Sequence, residues 1–275
     1  MAALGKSLQK RVPKIKNNNV AKEYYLTDLV GLFSADAKKI TAINLGLSNE
    51  PLGANDNGEL NRLERAYQKM QADAFAKKGI KFADLNRVDF RGEIEIKKNT
   101  FIDINNILEG KVSIGENCKI GPGCVIRNSS LAKNVEIEPY TVIENSQIDA
   151  NSKIGPFAHI GPGTILKEGV EIGNFVEAKR SVIGKKTKAK HLAYIGDGLL
   201  ADKVNVGAGT IFVNYDGKNK NKTSVGENAF IGSNSSLIAP LKIGKNSMIG
   251  AGSVVTADVP ELSLIHISEP TRPYW

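Results

Sequence analysis

Apolar residues recur along this chain at intervals of six. One run reads Ile96, Ile102, Leu108, Ile114, Ile120 and Ile126; a second reads Ile148, Ile154, Ile160, Leu166 and Ile172; a third reads Val225, Ile231, Leu237, Ile243, Ile249 and Val255. Two positions earlier stands a small residue, as at Cys118, Cys124, Ser152, Ala158, Thr164, Ala229, Ser235, Ser247 and Ser253. In extended backbone, residues two apart face the same side. Each hexad therefore predicts one short strand with two inward side chains, followed by a turn. A helix would need spacings of three and four instead. Hexads at this density predict a parallel β-helix. Three strands per coil give coils of about 18 residues, and residues 94–260 give roughly nine coils, each adding about 4.8 Å. Gly often follows the aliphatic residue, as at Gly115, Gly155, Gly173, Gly207 and Gly232, and is read as a corner with positive φ. Between Phe212 and Val225 the beat is interrupted by the polar segment Asn214–Thr223, NYDGKNKNKT. It reads as a loop extruded from a rigid scaffold, the usual place for function.

The flanks lack the beat. Residues 1–16 are basic and irregular, with Pro13 against a helix. Glu23–Phe33 has helical spacing, Ile40–Leu45 suits a short strand, and Ser48–Gly58 is rich in turn formers. Leu60, Leu63, Tyr67, Met70 and Ala74 then form an apolar helical stripe that Gly79 can close. Residues 1–93 thus read as a mixed, helical segment and 94–261 as the β-helix. Residues 262–275, opening LSLIHISEPTR, show neither hexads nor a helical stripe. They are similar to the translated product of a sequencing adapter and are read as a foreign tail, His266 included.

Composition narrows the classes. At 275 residues with 41% hydrophobic content, one or two domains with ample core are expected. No apolar run reaches the length of a membrane span, and no secretory signal opens the chain, so a soluble cytoplasmic protein is expected. Cys118 and Cys124 are read as reduced core fillers on adjacent faces of the prism. The net charge of +8 favours an anionic partner. Aromatics make up only 6%, and no RNA-binding motif is present, so a phosphorylated small molecule fits better than nucleic acid. A Lys-rich solvated surface is the plain alternative.

Candidate chemistry is sparse. No P-loop, zinc spacing or nucleophilic Ser motif occurs. His159 occupies an outward slot just before inward Ile160 and reads as a surface residue. His191, in KAKHLAYIGD, can accept a proton near neutral pH; taken alone it is a weak signal. The basic run Lys179, Arg180, Lys185, Lys186, Lys188 and Lys190 can hold a phosphate or simply solvate an outer face.

The segments EYYLTDLVGLF, NRLERAYQ, IGPFAHIGPG, GNFVEAK, KAKHLAYIGD, NVGAGTIFVNYDGKNKNKT and FIGSNSSLIAP, spread over about residues 17–260, add a resemblance. Together they resemble the bacterial bifunctional N-acetylglucosamine-1-phosphate uridylyltransferase/glucosamine-1-phosphate N-acetyltransferase family. The resemblance implies a mainly β protein, a left-handed parallel β-helix preceded by a short α/β remnant of a nucleotidyltransferase domain, working as a homotrimer. It implies acetyl-CoA-dependent acetylation of glucosamine-1-phosphate, with no nucleic-acid partner. The family's Gly-rich nucleotide loop and metal-binding Asp have no counterpart here, so uridylyl transfer is not expected. Asn55, in GANDNG, matches one Mg²⁺ ligand of that half; a single ligand without its Asp holds Mg²⁺ poorly.

By the same resemblance, His191 is the general base. Lys179, Tyr194, Asn205 and Lys220 contact the sugar phosphate, Lys220 reaching a neighbouring subunit's substrate. Ala208, Asn214, Tyr215, Ser233 and Ala251 contact acetyl-CoA, with backbone N–H groups near Ala208 facing the oxyanion. Gly161 stands where the family has a phosphate-binding Arg, and a family Arg that meets acetyl-CoA falls in the tail. Another hexapeptide acyltransferase, or an inactive trimeric β-helix module, remains the alternative.

Overall fold

The computed structural model describes residues 3–43 and 53–265. It divides into two compact units, residues 1–52 and 53–275. In the first, helices α1 (Gly5–Gln9) and α2 (Leu29–Ala35) and two 3-10 turns, Val12–Lys14 and Leu26–Asp28, are the regular elements among the described residues. The helix expected over Glu23–Phe33 starts late, as a 3-10 turn that passes into α2. Ile40–Ile43 is not a strand, and the rest of the expected strand lies outside the described residues.

The second unit is the β-helix. Its first face is a parallel sheet of eleven short strands, from Lys81–Phe82 to Leu264–Ile265. Inward residues on this face stack Ile102, Ile120, Ile137, Ile154, Ile172, Ala189, Val206, Ile231 and Ile249. The other two faces share the long strands Val88–Ile96 and Asn106–Ile114, each of which runs round a corner. The second face then stacks Ile126, Ile143, Ile160, Ala178, Ile195, Phe212 and Leu237; the third stacks Leu131, Ile148, Leu166, Ile183, Leu200, Val225 and Ile243. These residues form one continuous buried core. The prism starts before residue 94. It also takes in Leu264 and Ile265, which pair with Met248 and Ile249 despite the lack of an expected hexad there.

The corners correct one expectation. Among the described residues, of the glycines that follow Ile, Leu or Val, only Gly155 has positive φ. The others answer to close approach between coils. A Cβ on Gly115 would lie 2.5 Å from the Ala132 carbonyl carbon, and one on Gly207 would lie 2.5 Å from the Ser233 nitrogen. The left-handed positions come two residues after the glycine and are often Asn, the side chain that best tolerates αL. Asn99, Asn117, Asn134 and Asn151 occupy one such column. Their amides form a ladder, Asn117 to Asn134 at 3.3 Å and Asn134 to Asn151 at 2.9 Å.

Several inward polar residues bond to the next coil, whereas the buried hydroxyls of Thr141 and Thr223 have no hydrogen-bond partner among the described residues. Ser146 Oγ donates to the Gly161 carbonyl at 2.9 Å, and Thr187 Oγ1 to the Ala201 carbonyl at 2.9 Å. The Cys118 and Cys124 thiols are buried and unpaired with each other, donating to the carbonyls of Ala132 and Glu138. Burial pushes the Cys124 thiol up to about 11, as suits an inert core filler.

Helix α3 (Asn57–Lys77) belongs to this unit, but its apolar stripe does not face the core. Leu60, Tyr67 and Met70 are exposed, and the buried pair is Gln68 and Ala72. The reason is the open end of the prism. Phe90 lies on the terminal strand, whose backbone lacks a neighbour on one side. Gln68 supplies both missing partners: its Nε2 donates to the Phe90 carbonyl at 2.9 Å and its Oε1 accepts the Phe90 N–H at 2.7 Å. Phe75 packs on Phe90 with ring centroids 5.1 Å apart. The helix is a cap of the kind solenoid ends require.

Candidate active site

The register gathers four candidates on one edge, where the first face turns into the second. His191 ends the strand Lys188–His191, in register with Asn174 one coil below. Continuing the pairing of Ala189 with Val206 places Ala208 one coil above His191. The pairings Val206 with Ile231 and Ile231 with Ile249 then place Ser233 and Ala251 above Ala208. Three coil steps make this column about 14 Å tall. The small side chains leave the backbone of the edge accessible beside an exposed His191. His191 Nδ1 lies 2.8 Å from Asn174 Oδ1.

A second cluster lies at the far edge, where the second face turns into the third. Arg180 Nε and its second terminal nitrogen grip the two Asp197 oxygens at 2.8 and 2.9 Å. Asn214 donates through its Nδ2 to the same carboxylate and is buried. The Arg180 guanidinium, together with Asn214, holds the Asp197 carboxyl below its usual range. Tyr194 stands mid-face with its hydroxyl turned toward this edge and Arg180. Lys179 Nζ is 5.8 Å from the Tyr194 ring centroid and pairs with Glu177, which raises the Lys179 pKa.

The extruded segment is a finger rooted at this far edge. Tyr215 and Lys220 form an antiparallel bridge. Asp216 caps the tip: its Oδ1 accepts from the Lys218 and Asn219 N–H groups at 2.8 and 2.6 Å. Thr223 already belongs to the next strand, Thr223–Val225. The Tyr215 hydroxyl donates to the Gly217 carbonyl at 2.7 Å, and the Lys220 charge acts on Asp197 of its own chain.

The remaining candidates stand apart. Asn205 lies on the first face, in register with Lys188, round the corner from Tyr194. Asn55 is taken up by the start of α3. Its backbone N–H and its Nδ2 donate to Glu59 Oε2 at 2.8 and 3.1 Å, while Asp56 caps the Glu59 N–H at 2.7 Å. Among the described residues no cluster of three or more His, Cys, Asp or Glu side chains forms a metal site. The residues present therefore do not fit Mg²⁺, and no step is routed through it.

Gly161 is aligned between Glu144 and Lys179. Its φ is not positive, and a Cβ there would meet the Lys179 Cβ at 3.1 Å. Below it, Arg127 joins Glu109 at 3.1 Å and Glu144 at 2.6 Å. The basic run is largely paired as well: Glu171 takes Lys188 at 3.0 Å and Lys190 at 2.5 Å, which lowers its pKa. His159 faces outward between Glu144 and Glu177, at 3.6 and 3.8 Å. Asn174, in GNFVEAK, and Asp197, in KAKHLAYIGD, carry no role in the sequence reading. Each lies 17 residues from its partner, one short coil, and that spacing was the available signal.

A family model described as "GMPPB C-terminal domain" matches residues 90–174, and one described as "Bacterial transferase hexapeptide (six repeats)" matches residues 222–257. Over 265 residues the chain is 46% identical to "Bifunctional protein GlmU" of Baumannia cicadellinicola subsp. Homalodisca coagulata, covering 96% of this chain and 56% of that protein. It is 51% identical over 257 residues to the protein of the same name from Psychrobacter sp. (strain PRwf-1), covering 94% and 56%. The chain thus spans little more than half the length of these curated relatives. Among solved structures, LpxA, a UDP-N-acetylglucosamine acyltransferase from Bacteroides fragilis 9343, aligns with a TM-score of 0.51 at 19% identity, covering 64% of this chain and 68% of that one. That likeness is one of fold.

Proposed function

We propose, on the premise that this chain is a homologue of the bifunctional GlmU proteins over nearly its whole length, that it transfers the acetyl group of acetyl-CoA to the amine of glucosamine-1-phosphate. The product would be N-acetylglucosamine-1-phosphate, a step toward UDP-N-acetylglucosamine. The observation that carries the reading is the edge on which His191 stands at the foot of Ala208, Ser233 and Ala251.

The chemistry follows from that edge. An ammonium has no lone pair, so the amine attacks the thioester carbonyl in its neutral form, its ammonium proton lost to solvent, and the attacking nitrogen must shed a second proton as the N–C bond forms. His191 takes that proton. The new N–C bond pushes the carbonyl electrons onto oxygen, where the backbone N–H of Ala208 is the donor assigned to the oxyanion. Collapse breaks the C–S bond, and the leaving thiolate takes the proton from His191. Lys179 supplies charge for the phosphate, Tyr194 and Asn205 supply hydrogen bonds, and Ser233 and Ala251 line the acetyl-CoA column. Asn214 contributes by anchoring the finger that carries Tyr215 and Lys220.

These groups do not converge within one prism. We therefore include a homotrimer in the proposal: a neighbouring prism would turn a flat face into a cleft. A second reading, another acceptor or a non-catalytic module, draws on the phosphate corner. There Lys179 and Arg180 are already paired and position 161 is Gly. Thiol release from acetyl-CoA separates these readings. Release with glucosamine-1-phosphate supports the proposal, release only with other amines or alcohols favours another acceptor, and none with any acceptor favours the module.

A further inference from the structure

Resting on that reading, we infer that Asn174 is a positioning residue that fixes the tautomer of His191. The two residues are register partners on adjacent coils, and Asn174 Oδ1 faces His191 Nδ1 at 2.8 Å. An amide oxygen can only accept, so it selects the ring form with its proton on Nδ1. Nε2 is then left with a lone pair, and that nitrogen is the one that can take a proton from an acceptor amine. The reverse pairing, with an amide nitrogen donating to Nδ1, would put the proton on Nε2 and remove the base.

The backbone makes the contact dependable. Asn174 ends the strand Glu171–Asn174 and His191 ends the strand Lys188–His191; their neighbours Ile172 and Ala189 are both buried in the core. The partner is a neutral amide. The carboxylate on the same pair of strands, Glu171, is held by Lys188 and Lys190. The base is therefore oriented without a negative charge beside it on these strands.

The test measures the full chain and two variants, Asn174→Leu and Asn174→Asp. Loss of the second partner of a functional histidine, as measured for metal-bound histidines, typically costs about 10–100-fold. Asn174→Leu is expected to lose kcat on that scale with an unchanged KM for glucosamine-1-phosphate. Asn174→Asp, which still accepts from Nδ1–H, should keep most of the turnover. In parallel, ¹⁵N NMR of the imidazole reads the tautomer without any turnover. The parent and Asn174→Asp should show the proton on Nδ1, and Asn174→Leu should lose that preference. Three results would overturn the inference: a parent ring protonated on Nε2, an Asn174→Leu variant that keeps the Nδ1–H form, or a tautomer change with no fall in kcat. If no variant transfers acetyl groups, the functional reading fails while the NMR result still decides the positioning.

Discussion

The two edges that bound the second face are built in opposite ways. At the far edge, Arg180, Asp197 and Asn214 saturate one another, and the carboxylate and the amide are buried. At the near edge, His191 is exposed with one side-chain partner among the described residues, Asn174, and small residues continue the column above it. Six residues separate His191 from Asp197, at most about 20 Å of extended chain. The difference teaches a division of labour. Paired groups at the far edge hold the finger and the Tyr194 hydroxyl in place, while the near edge, on the proposed reading, keeps a nitrogen free for chemistry. On the proposed reading, each edge of one chain would carry only half of what acetyl transfer requires.

Breaking the near edge should have the largest effect. His191→Ala is expected to reduce kcat about 10²–10⁴-fold while the denaturation midpoint stays put, because the residue is exposed. The far edge should behave in reverse. Asp197→Ala leaves Arg180 and Asn214 without their acceptor and should cost about 1.5–3 kcal/mol in chemical denaturation. Its pH dependence has a definite sign. The folded-state pKa of Asp197 is lowered, so the stabilisation is present above the ordinary carboxylate range and fades as pH falls through the folded value. The stability gap between parent and Asp197→Asn should therefore close below about pH 4.

Sharpening the phosphate corner comes next. Gly161→Arg should lower KM for glucosamine-1-phosphate about tenfold through charge-assisted bonds, since φ at this position permits a side chain and the Lys179 Cβ need give only slightly. An unchanged KM in a folded variant would mean that the phosphate is anchored elsewhere. The smallest effect belongs to the charged ladder of the first face. Lys188→Ala removes one exposed pair with Glu171 and should change stability by less than about 1 kcal/mol.

The fold was legible because the inward positions of a β-helix are local. A six-residue beat reports each strand by itself, and the two buried thiols fell where the beat put them. What escaped depends on the next coil. The glycines after the aliphatic residues were read as left-handed corners, yet Gly207 is needed because Ser233 lies against it. The helical spacing of the α3 stripe predicts the helix but not its buried side, which is set by an unpaired strand end that calls for Gln68. His191 stood out as a titratable side chain, whereas Asn174 gains meaning only from the register that stacks it below the ring. Lys220, expected to reach a neighbour, also acts on Asp197 within its own chain.

The claim that the two edges work together across subunits is tested most directly by mixing two inactive variants, His191→Ala and the double variant Tyr215→Ala with Lys220→Ala. After unfolding and joint refolding, mixed assemblies are isolated and thiol release from acetyl-CoA with glucosamine-1-phosphate is measured. The account predicts that activity returns, because some clefts then pair an intact His191 edge with an intact finger from another chain. Verified mixed assemblies that stay inactive would contradict it.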